Sequence, residues 1–302
     1  MREQALEIEV KTEVEKESKI EAKIEAKSEV MRVFQDLDEW RQRRHELKGK
    51  SLGFVPTMGA LHEGHLELVR RSLRENDRTV VSIFVNPTQF NDPQDFEKYP
   101  IQVEQDLGLL RELGVQEVLL PRAEDLYGDQ YRYQVSEKEQ SRILCGAHRP
   151  GHFDGVLTVV LKLLNLTQAD RAYFGEKDFQ QWKLIEGMVR AFFIPTQVYA
   201  HPTVREADDL AMSSRNVRLT PEERLKSTLF PKALKTALTA QEAKRTLEDQ
   251  GFEVDYVEEH FGRRLGAVRI GKVRLIDNVP LPEGGVGGAS FLAQSEESHV
   301  KR

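Results

Sequence analysis

The stretch FVPTMGALHEGHLELV, residues 54–69, constrains the fold of this chain more than any other. Residues 51–55 are typical of a buried strand and residues 56–59 of a tight turn, and the leucines that follow fit the apolar face of a helix. We expect Arg70 and Arg71 to face solvent on that helix. The sequence therefore predicts a strand, a tight turn and an amphipathic helix in close succession.

Two histidines and two glycines in this stretch suggest a phosphate site. His62 and His65 are three residues apart, which places both imidazoles on one face of the first helical turn. A helix N-terminus offers unpaired N–H groups and the positive end of the helix dipole. Gly59 and Gly64 would let a nucleotide lie against the backbone. Spacing alone also allows an ordinary strand-turn-helix whose histidines are simply polar residues near a helix start.

Composition limits the class of protein. The chain has 302 residues, a net charge of −6 and one cysteine, Cys145. The charge gives no reason to expect nucleic acid or an anionic membrane as a partner, and a single cysteine fits a reducing compartment. No segment has the apolar length of a membrane span, and the acidic N-terminus does not look like a signal or transit peptide. We expect a soluble cytoplasmic protein with two domains rather than one.

The first thirty residues differ from the rest. Residues 1–30 alternate Glu and Lys and include the repeat KIEAKIEA at 19–26. Their apolar positions are too few to bury a stable face. We therefore predict a charged tail, mobile or solvated, rather than a partner-binding coil, which would need sustained heptads.

Strands and helices alternate from residue 31 onward, which favours a parallel sheet covered on both faces. The predicted strands after the first are 78–85, 118–120, 169–174 and 196–200. The predicted helices around them are 36–47, 101–113, 154–166 and 178–193. In such sheets ligands bind beyond the carboxyl ends of the strands.

Polar loops follow four of the predicted strands, and we expect them along one edge of the sheet. These loops are residues 56–59, 86–90, 175–178 and 202–205. A further segment, DDLAMSSRN at 208–216, has two serines and an arginine that could hold a phosphate chain. An exposed polar loop is the alternative, because serine-rich turns are common.

Taken together, these motifs resemble the pantothenate synthetase (pantoate–β-alanine ligase) family of the nucleotidyltransferase-like superfamily. Residues 56–65, PTMGALHEGH, match the whole of the family's first signature. The further matching blocks are FVNPTQF at 84–90, RPGHFDGV at 149–156, FGEKDFQQ at 174–181, VRE at 204–206 and MSSRN at 212–216. The blocks keep the family order over most of the chain, which makes chance agreement implausible.

The resemblance implies an α/β fold in two parts. A Rossmann-like parallel-sheet domain would carry an HxGH-type nucleotidyltransferase site, and a small α+β C-terminal domain would close over it. We divide the chain into the tail at 1–30, an ATP- and pantoate-binding domain at 31–203 and a lid domain with a disordered end at 204–302. Segment 260–266 looks shorter than its family counterpart.

The resemblance also implies the reaction, the ATP-dependent ligation of pantoate and β-alanine to pantothenate. ATP and pantoate would form pantoyl adenylate and pyrophosphate, and the amine of β-alanine would then displace AMP. We expect Mg²⁺ to accompany ATP on phosphate oxygens and water rather than in a protein cage. The family forms dimers, so a homodimer is expected. Another nucleotidyltransferase of the superfamily, or a non-catalytic nucleotide-binding module, stays open as the alternative.

Individual residues receive roles from the same resemblance. The expected catalytic residues are His65, His62 and Lys177, with the family's proton donor at His65. The expected substrate-binding residues are Gln89, Gln181, Asn86, Arg149 and His152. The expected ATP-binding residues are Met58, Gly59, Ala60, Leu61, His62, Glu63, Gly64, His65, Gly175, Glu176, Lys177, Asp178, Val204, Met212, Ser213, Ser214 and Arg215.

Overall fold

The computed structural model of the chain describes residues 30–91 and 93–281. The chain divides into two compact units between Val204 and Arg205. The tail and the disordered end predicted from the sequence lie outside the described residues, apart from Val30 and residues 280–281.

The first unit is built on a six-stranded parallel sheet. Its strands are β1 Arg32–Phe34, β2 Leu52–Thr57, β3 Arg78–Ile83, β4 Glu117–Leu119, β5 Arg171–Gly175 and β6 Gln197–His201. Their spatial order is β1-β4-β3-β2-β5-β6. The chain moves outward from β2 through β3 and β4 on one side and later through β5 and β6 on the other. The strand order therefore reverses between β2 and β5.

Helices connect these strands. They are α1 Leu37–Glu46, α2 Glu63–Glu75, α3 Pro93–Glu97, α4 Val103–Glu112, α5 Ala123–Leu126, α6 Cys145–His148, α7 His152–Thr167 and α8 Phe179–Ala191. Helix α1 begins after Asp36, whose carboxylate accepts the main-chain N–H groups of Asp38 and Glu39. Within the described part of the chain, no helix is both long and apolar enough to cross a membrane.

The parallel sheet predicted from the sequence is confirmed, with element ends displaced by one or two residues. The first strand of the motif runs on through Pro56 to Thr57, and the Thr57 hydroxyl donates to the carbonyl of Ser82 at 2.8 Å. Strand β1 was not predicted, because three residues are too few to show a period.

Both faces of the sheet are covered. Phe54 and Val55 follow each other in β2, so their side chains point to opposite faces, and both are 0 % exposed. Leu66 on α2 and Leu110 on α4 belong to the same apolar cluster as Val55. Helices α1 and α7 are joined by the indole N–H of Trp40, which donates to the carbonyl of Leu166 at 2.8 Å.

Arg71 does not face solvent as predicted. Its guanidinium lies over the rings of Tyr173 and Tyr199, 5.5 and 5.2 Å from their centroids. It also donates to the carbonyl of Ala200 at 2.6 Å. The prediction was wrong because the long side chain folds back over β5 and β6, where aromatic faces attract the cation.

The second unit packs helices on a three-stranded antiparallel sheet. Its elements are α9 Pro221–Ser227, α10 Leu229–Thr236, α11 Ala240–Asp249, β7 Glu253–His260, β8 Arg263–Ile270 and β9 Val273–Pro280. Phe230, Leu247 and Val268 are fully buried in its core. Segment 260–266, which the sequence suggested is shorter than its family counterpart, contains the tight turn between β7 and β8. Phe261 and Gly262 in this turn both have positive φ. This unit is the small α+β domain expected from the sequence.

Candidate active site

The candidate site lies at the carboxyl edge of the parallel sheet, where the strand order reverses. Strands β2 and β5 are parallel neighbours, with Gly53 opposite Arg171. Residues 58–65 follow β2, and residues 176–178 follow β5. The loops after β2, β3, β5 and β6 share this edge because all four strands run in one direction. Ligands of open parallel sheets bind at such reversals.

A buried carboxylate fixes the turn after β2. Gly59 and Ala60 both have positive φ, 78° and 49°, and the second is unusual for a residue with a side chain. Asp106 on α4 accepts the main-chain N–H groups of Ala60 at 2.9 Å and of Leu61 at 2.8 Å. A Cβ atom at position 59 would lie 3.0 Å from an Asp106 oxygen and would crowd the carboxylate, and the positive φ also favours glycine there.

Asp106 is nearly fully buried, and burial raises its pKa against the opposing effect of the two N–H donors. The sequence analysis missed this residue. The available signal was a carboxylate beside the apolar positions of the predicted helix 101–113, where Leu107 and Leu110 are also buried. A charge in such a stripe needs a partner inside the protein.

The two histidines come together at the start of α2 as a capping pair. His62 precedes the helix, and its Nδ1 accepts the main-chain N–H of Gly64 at 3.2 Å. The Nδ1 of His65 accepts the main-chain N–H of His62 at 3.4 Å, and the ring centroids are 4.1 Å apart. A backbone N–H can only donate, so Nδ1 is the acceptor in each ring. The proton of each neutral ring therefore lies on Nε2.

Charge at His65 is strongly disfavoured. Burial of the imidazole, followed by the electrostatic repulsion that a charged ring would meet from His62 and Lys177, lowers the pKa of His65 to about 3. The ring is therefore neutral at pH 7. Lys177 lies in the turn after β5, with its ammonium 3.8 Å from a carboxylate oxygen of Asp178. Because β2 and β5 are parallel neighbours, the loops that follow them begin side by side.

Gln89 is held on both sides of its amide. Its Oε1 accepts the amide N–H of Asn86 at 3.1 Å, and its Nε2 lies 2.8 Å from the sulfur of Met58. Asn86 is 1 % exposed; it accepts the hydroxyl of Tyr127 at 2.7 Å and donates to the carbonyl of Gly155 at 3.2 Å. The structure thus gives Asn86 a supporting place behind Gln89, and it adds Tyr127, which the sequence analysis missed.

Arg149 and His152 support the main chain of Gln89. Its carbonyl accepts from Arg149 at 3.1 Å and from the Nδ1 of His152 at 2.8 Å. Arg149 also contacts the Nε2 of His152 at 3.1 Å. Because a guanidinium only donates, Nε2 is the acceptor and Nδ1 carries the proton. Arg149 and His152 therefore lie beside Gln89, and both are hydrogen-bonded to its main-chain carbonyl.

Gln181 and Gln180 begin α8 with different surroundings. Gln180 is buried: it accepts the main-chain N–H of Cys145 and donates to the carbonyls of Gln140 and Ile143. Gln181 is partly exposed just after the Lys177 turn. Of the two glutamines, Gln181 is therefore the one whose amide can meet a ligand.

The last predicted ATP-binding residues are divided between the units. Val204 ends the first unit, whereas Met212 and the Ser213–Arg215 segment belong to the second. Within the second unit, the Ser213 hydroxyl accepts the main-chain N–H of Arg215 at 3.2 Å. Ser213, Ser214 and Arg215 are all partly exposed. In the described ranges, no group of three or more His, Cys, Asp or Glu side chains could hold a metal ion.

Comparison with known sequences identifies the family of the chain. The family model of pantoate–β-alanine ligases matches residues 29–280. The pantothenate synthetase of Bdellovibrio bacteriovorus is 53 % identical over 254 residues, which cover 84 % of this chain and 100 % of the relative. That of Legionella pneumophila strain Lens is 49 % identical over 249 residues, 82 % of this chain and 99 % of the relative.

Solved structures agree with the sequence matches. The pantoate–β-alanine ligase of Francisella tularensis, in complex with beta-gamma ATP and β-alanine, superimposes with a TM-score of 0.80 at 41 % identity. The match covers 83 % of this chain and 98 % of that chain. The pantothenate synthetase of Thermus thermophilus has a TM-score of 0.76 at 40 % identity, with coverages of 83 % and 99 %. The fold is thus the nucleotidyltransferase-like one, and the chain belongs to the pantoate–β-alanine ligase family.

Proposed function

We propose that the site at the carboxyl edge joins pantoate to β-alanine at the expense of ATP, through a pantoyl adenylate. The chain is a ligase that forms a carbon–nitrogen bond and releases AMP and pyrophosphate. One observation carries the proposal: the paired His62 and His65, whose Nε2 atoms carry the proton, follow β2, and Lys177 follows β5, the parallel neighbour of β2. The Francisella relative in complex with beta-gamma ATP and β-alanine supports these substrates.

The first step joins two anions. A carboxylate oxygen of pantoate forms a bond to the α-phosphorus of ATP, and the bond to pyrophosphate breaks with its electron pair on the leaving group. The ionised carboxylate needs no base, so the barrier is mainly charge repulsion and alignment. His62, His65 and Lys177 would lower it by donating to phosphate oxygens, an effect worth several kcal/mol. Because His65 is neutral at pH 7, its role is hydrogen-bond donor to phosphate rather than proton source.

The second step uses the same edge. The β-alanine amine, after losing its ammonium proton, attacks the acyl carbon, and the bond to AMP breaks to leave the amide. Gln89 and Gln181 would hold pantoate through both steps, with Gln89 also near β-alanine. Asn86, Arg149 and His152 would act through Gln89, because their hydrogen bonds fix its amide and its carbonyl.

Further residues would bind the nucleotide. Ser213, Ser214 and Arg215 would contact the β- and γ-phosphates, and the backbone of Val204 would face the adenine. Mg²⁺ would be held mainly by phosphate oxygens and water. When bound it would reduce the negative charge of the polyphosphate.

We also propose a homodimer, through the edge strand β6 and its neighbours. Phe193 is 92 % exposed, and with Ile194 and Val198 it lines an open pocket beside β6, which among the described strands pairs with β5 alone. An exposed apolar group beside an open sheet edge suits a second copy of the chain. Phe193→Asp should shift the sedimentation mass to a monomer. Leu238→Asp, at an equally exposed leucine of the second unit, should not.

We further propose that the protein acts in the cytoplasm. A lone cysteine, Cys145, is compatible with a reducing compartment.

Pyrophosphate exchange tests the proposed reaction. With ATP, Mg²⁺ and pantoate but no β-alanine, the protein should move labelled pyrophosphate into ATP. Exchange should vanish in the Gln89→Ala, Gln181→Ala double variant, which cannot orient the carboxylate. Exchange that begins only after β-alanine is added would contradict the stepwise mechanism. Release of ADP and phosphate would place the attack on the γ-phosphate and reject the proposal.

A further inference from the structure

The loop that carries Ser213–Arg215 is fixed to the second unit at its start. The guanidinium of Arg205 makes two hydrogen bonds to the carboxylate of Asp277 on β9, at 2.7 and 2.9 Å. Asp277 is buried, and Arg205 pairs with Ala211 through an isolated antiparallel bridge. Residues 205–211 therefore form a closed hairpin rather than a loose surface loop.

Glu206 joins this hairpin to the residue that follows the phosphate-contact segment. One oxygen of its carboxylate accepts the amide N–H of Asn216 at 2.7 Å. The other accepts the guanidinium of Arg224 on α9 at 2.6 Å, and Arg224 also pairs with Asp208 at 2.6 Å. The negative charges of Glu206 and Asp208 are thus partly neutralised by Arg224. Without this neutralisation they would repel a polyphosphate bound to Arg215.

Asn216 closes the segment. Its main-chain N–H donates to the carbonyl of Ser213 at 3.0 Å, and its amide nitrogen donates to the carbonyl of Ala211 at 3.1 Å. Glu206 and that carbonyl can only accept, so the amide nitrogen must face them. The opposite atom, Oδ1, is then buried with no hydrogen-bond partner among the described residues. A buried acceptor without a hydrogen bond lowers the stability of the fold, and such unfavourable features are concentrated at functional sites.

We propose that Glu206 is a positioning residue for the phosphate contacts of Ser213, Ser214 and Arg215, acting through Asn216. Its carboxylate holds the Asn216 amide, which also donates to the carbonyl of Ala211, and the main-chain N–H of the same asparagine donates to the carbonyl of Ser213. The inference rests on the proposed function, because it assumes that this segment meets the β- and γ-phosphates. Nothing in it requires Glu206 to touch substrate.

The two half-reactions separate this role from a structural one. The β- and γ-phosphates are present in adenylation and absent from pantoyl adenylate. Glu206→Gln should therefore lower kcat/KM for ATP in pyrophosphate exchange by about 10- to 100-fold, the scale for a displaced catalytic contact. Conversion of supplied pantoyl adenylate and β-alanine to pantothenate should stay within about twofold of the parent. Asn216→Ala should give the same split.

Glu259→Gln is the matched control. Glu259 is a similarly exposed carboxylate of the same unit, and one of its oxygens accepts two hydrogen bonds from Arg264 near the β7–β8 turn. Both half-reactions should be unchanged in this variant. An equal loss of both half-reactions in Glu206→Gln and Asn216→Ala, or no loss in either, would overturn the inference.

Arg215→Ala distinguishes failure of the inference from failure of the proposed function. If Arg215→Ala abolishes exchange while Glu206→Gln and Asn216→Ala do not alter it, the segment binds phosphate but Glu206 does not position it. If Arg215→Ala leaves exchange intact, the phosphate role proposed for the segment is wrong, and the inference fails with it.

Discussion

Asp106 accepts the main-chain N–H of Leu61 at 2.8 Å across 45 residues of sequence, and its second oxygen takes that of Ala60. Asp106→Asn keeps the shape but turns an amide NH₂ toward one of these donors. A buried donor without an acceptor costs about 1–3 kcal/mol. We therefore expect the turn at Gly59 to lose its fixed shape. In steady-state assays, kcat/KM for ATP should fall about 10- to 100-fold, with native circular dichroism.

Asp77→Asn is the control for this prediction. Asp77 also takes two donors, the main-chain N–H and the hydroxyl of Ser51, both at 2.8 Å, but it lies at the opposite end of β2. Its replacement should change thermal stability and leave kcat/KM for ATP unchanged. A loss of activity as large in Asp77→Asn as in Asp106→Asn would show that general destabilisation explains both.

The pKa of His65 predicts a specific pH dependence of stability. Its pKa is about 3 in the folded protein and near 6.5 in the unfolded chain. The unfolded chain therefore takes up the proton first as the pH falls. The contribution of the neutral His65 ring to the free energy of unfolding is complete above pH 6.5. It is lost between pH 6.5 and 3, by at most about 1.4 kcal/mol per pH unit. Urea unfolding of the parent and of His65→Asn should show the parent with the steeper decline.

The same chemistry predicts a result for activity. If His65 serves as a neutral donor, its protonation should not reduce pyrophosphate exchange as the pH falls through 6.5, the ordinary pKa of histidine. His65→Gln, which keeps an N–H donor, should retain more exchange than His65→Ala. Equal losses in the two variants would argue that the ring itself, and not its hydrogen bond, is what the reaction requires.

Alternation of strands and helices was enough to predict the parallel sheet and the edge on which the loops meet. It could not give the partners of the polar side chains. Arg149 lies 60 residues from Gln89 in sequence, and Asp106 lies 46 from Ala60, so neither pairing has a periodic signature. A motif match records that Asn86 stands beside the site. Only the fold shows that its hydrogen bonds go to Gln89 and Tyr127.

Lys177 should matter for the charge it brings to the phosphates. Lys177→Ala should lower the rate of pyrophosphate exchange by about a hundredfold or more, the scale for losing one donor to a developing charge. Lys183→Ala removes a lysine of α8 that pairs with Glu186 at 2.5 Å, and it should leave exchange near the parent value. If Lys177→Ala unfolds, as judged by circular dichroism, the residue is structural and its assigned role is wrong.

Tyr127 should influence pantoate without touching ATP. Its hydroxyl donates to the Oδ1 of Asn86 at 2.7 Å, and burial raises the pKa of Tyr127 to about 12, so the group keeps its proton at any working pH. Tyr127→Phe removes the shortest hydrogen bond to the Asn86 Oδ1, which keeps only its donors from Thr88, so the Asn86 amide that Gln89 accepts is held less firmly. We expect KM for pantoate to rise about three- to tenfold, as for loss of one neutral hydrogen bond, with KM for ATP unchanged. Tyr131→Phe keeps a ring against Tyr127, at 5.5 Å between centroids, and should change neither constant. A rise in KM for ATP of the same size would mean that Tyr127 supports the whole edge of the sheet rather than Gln89.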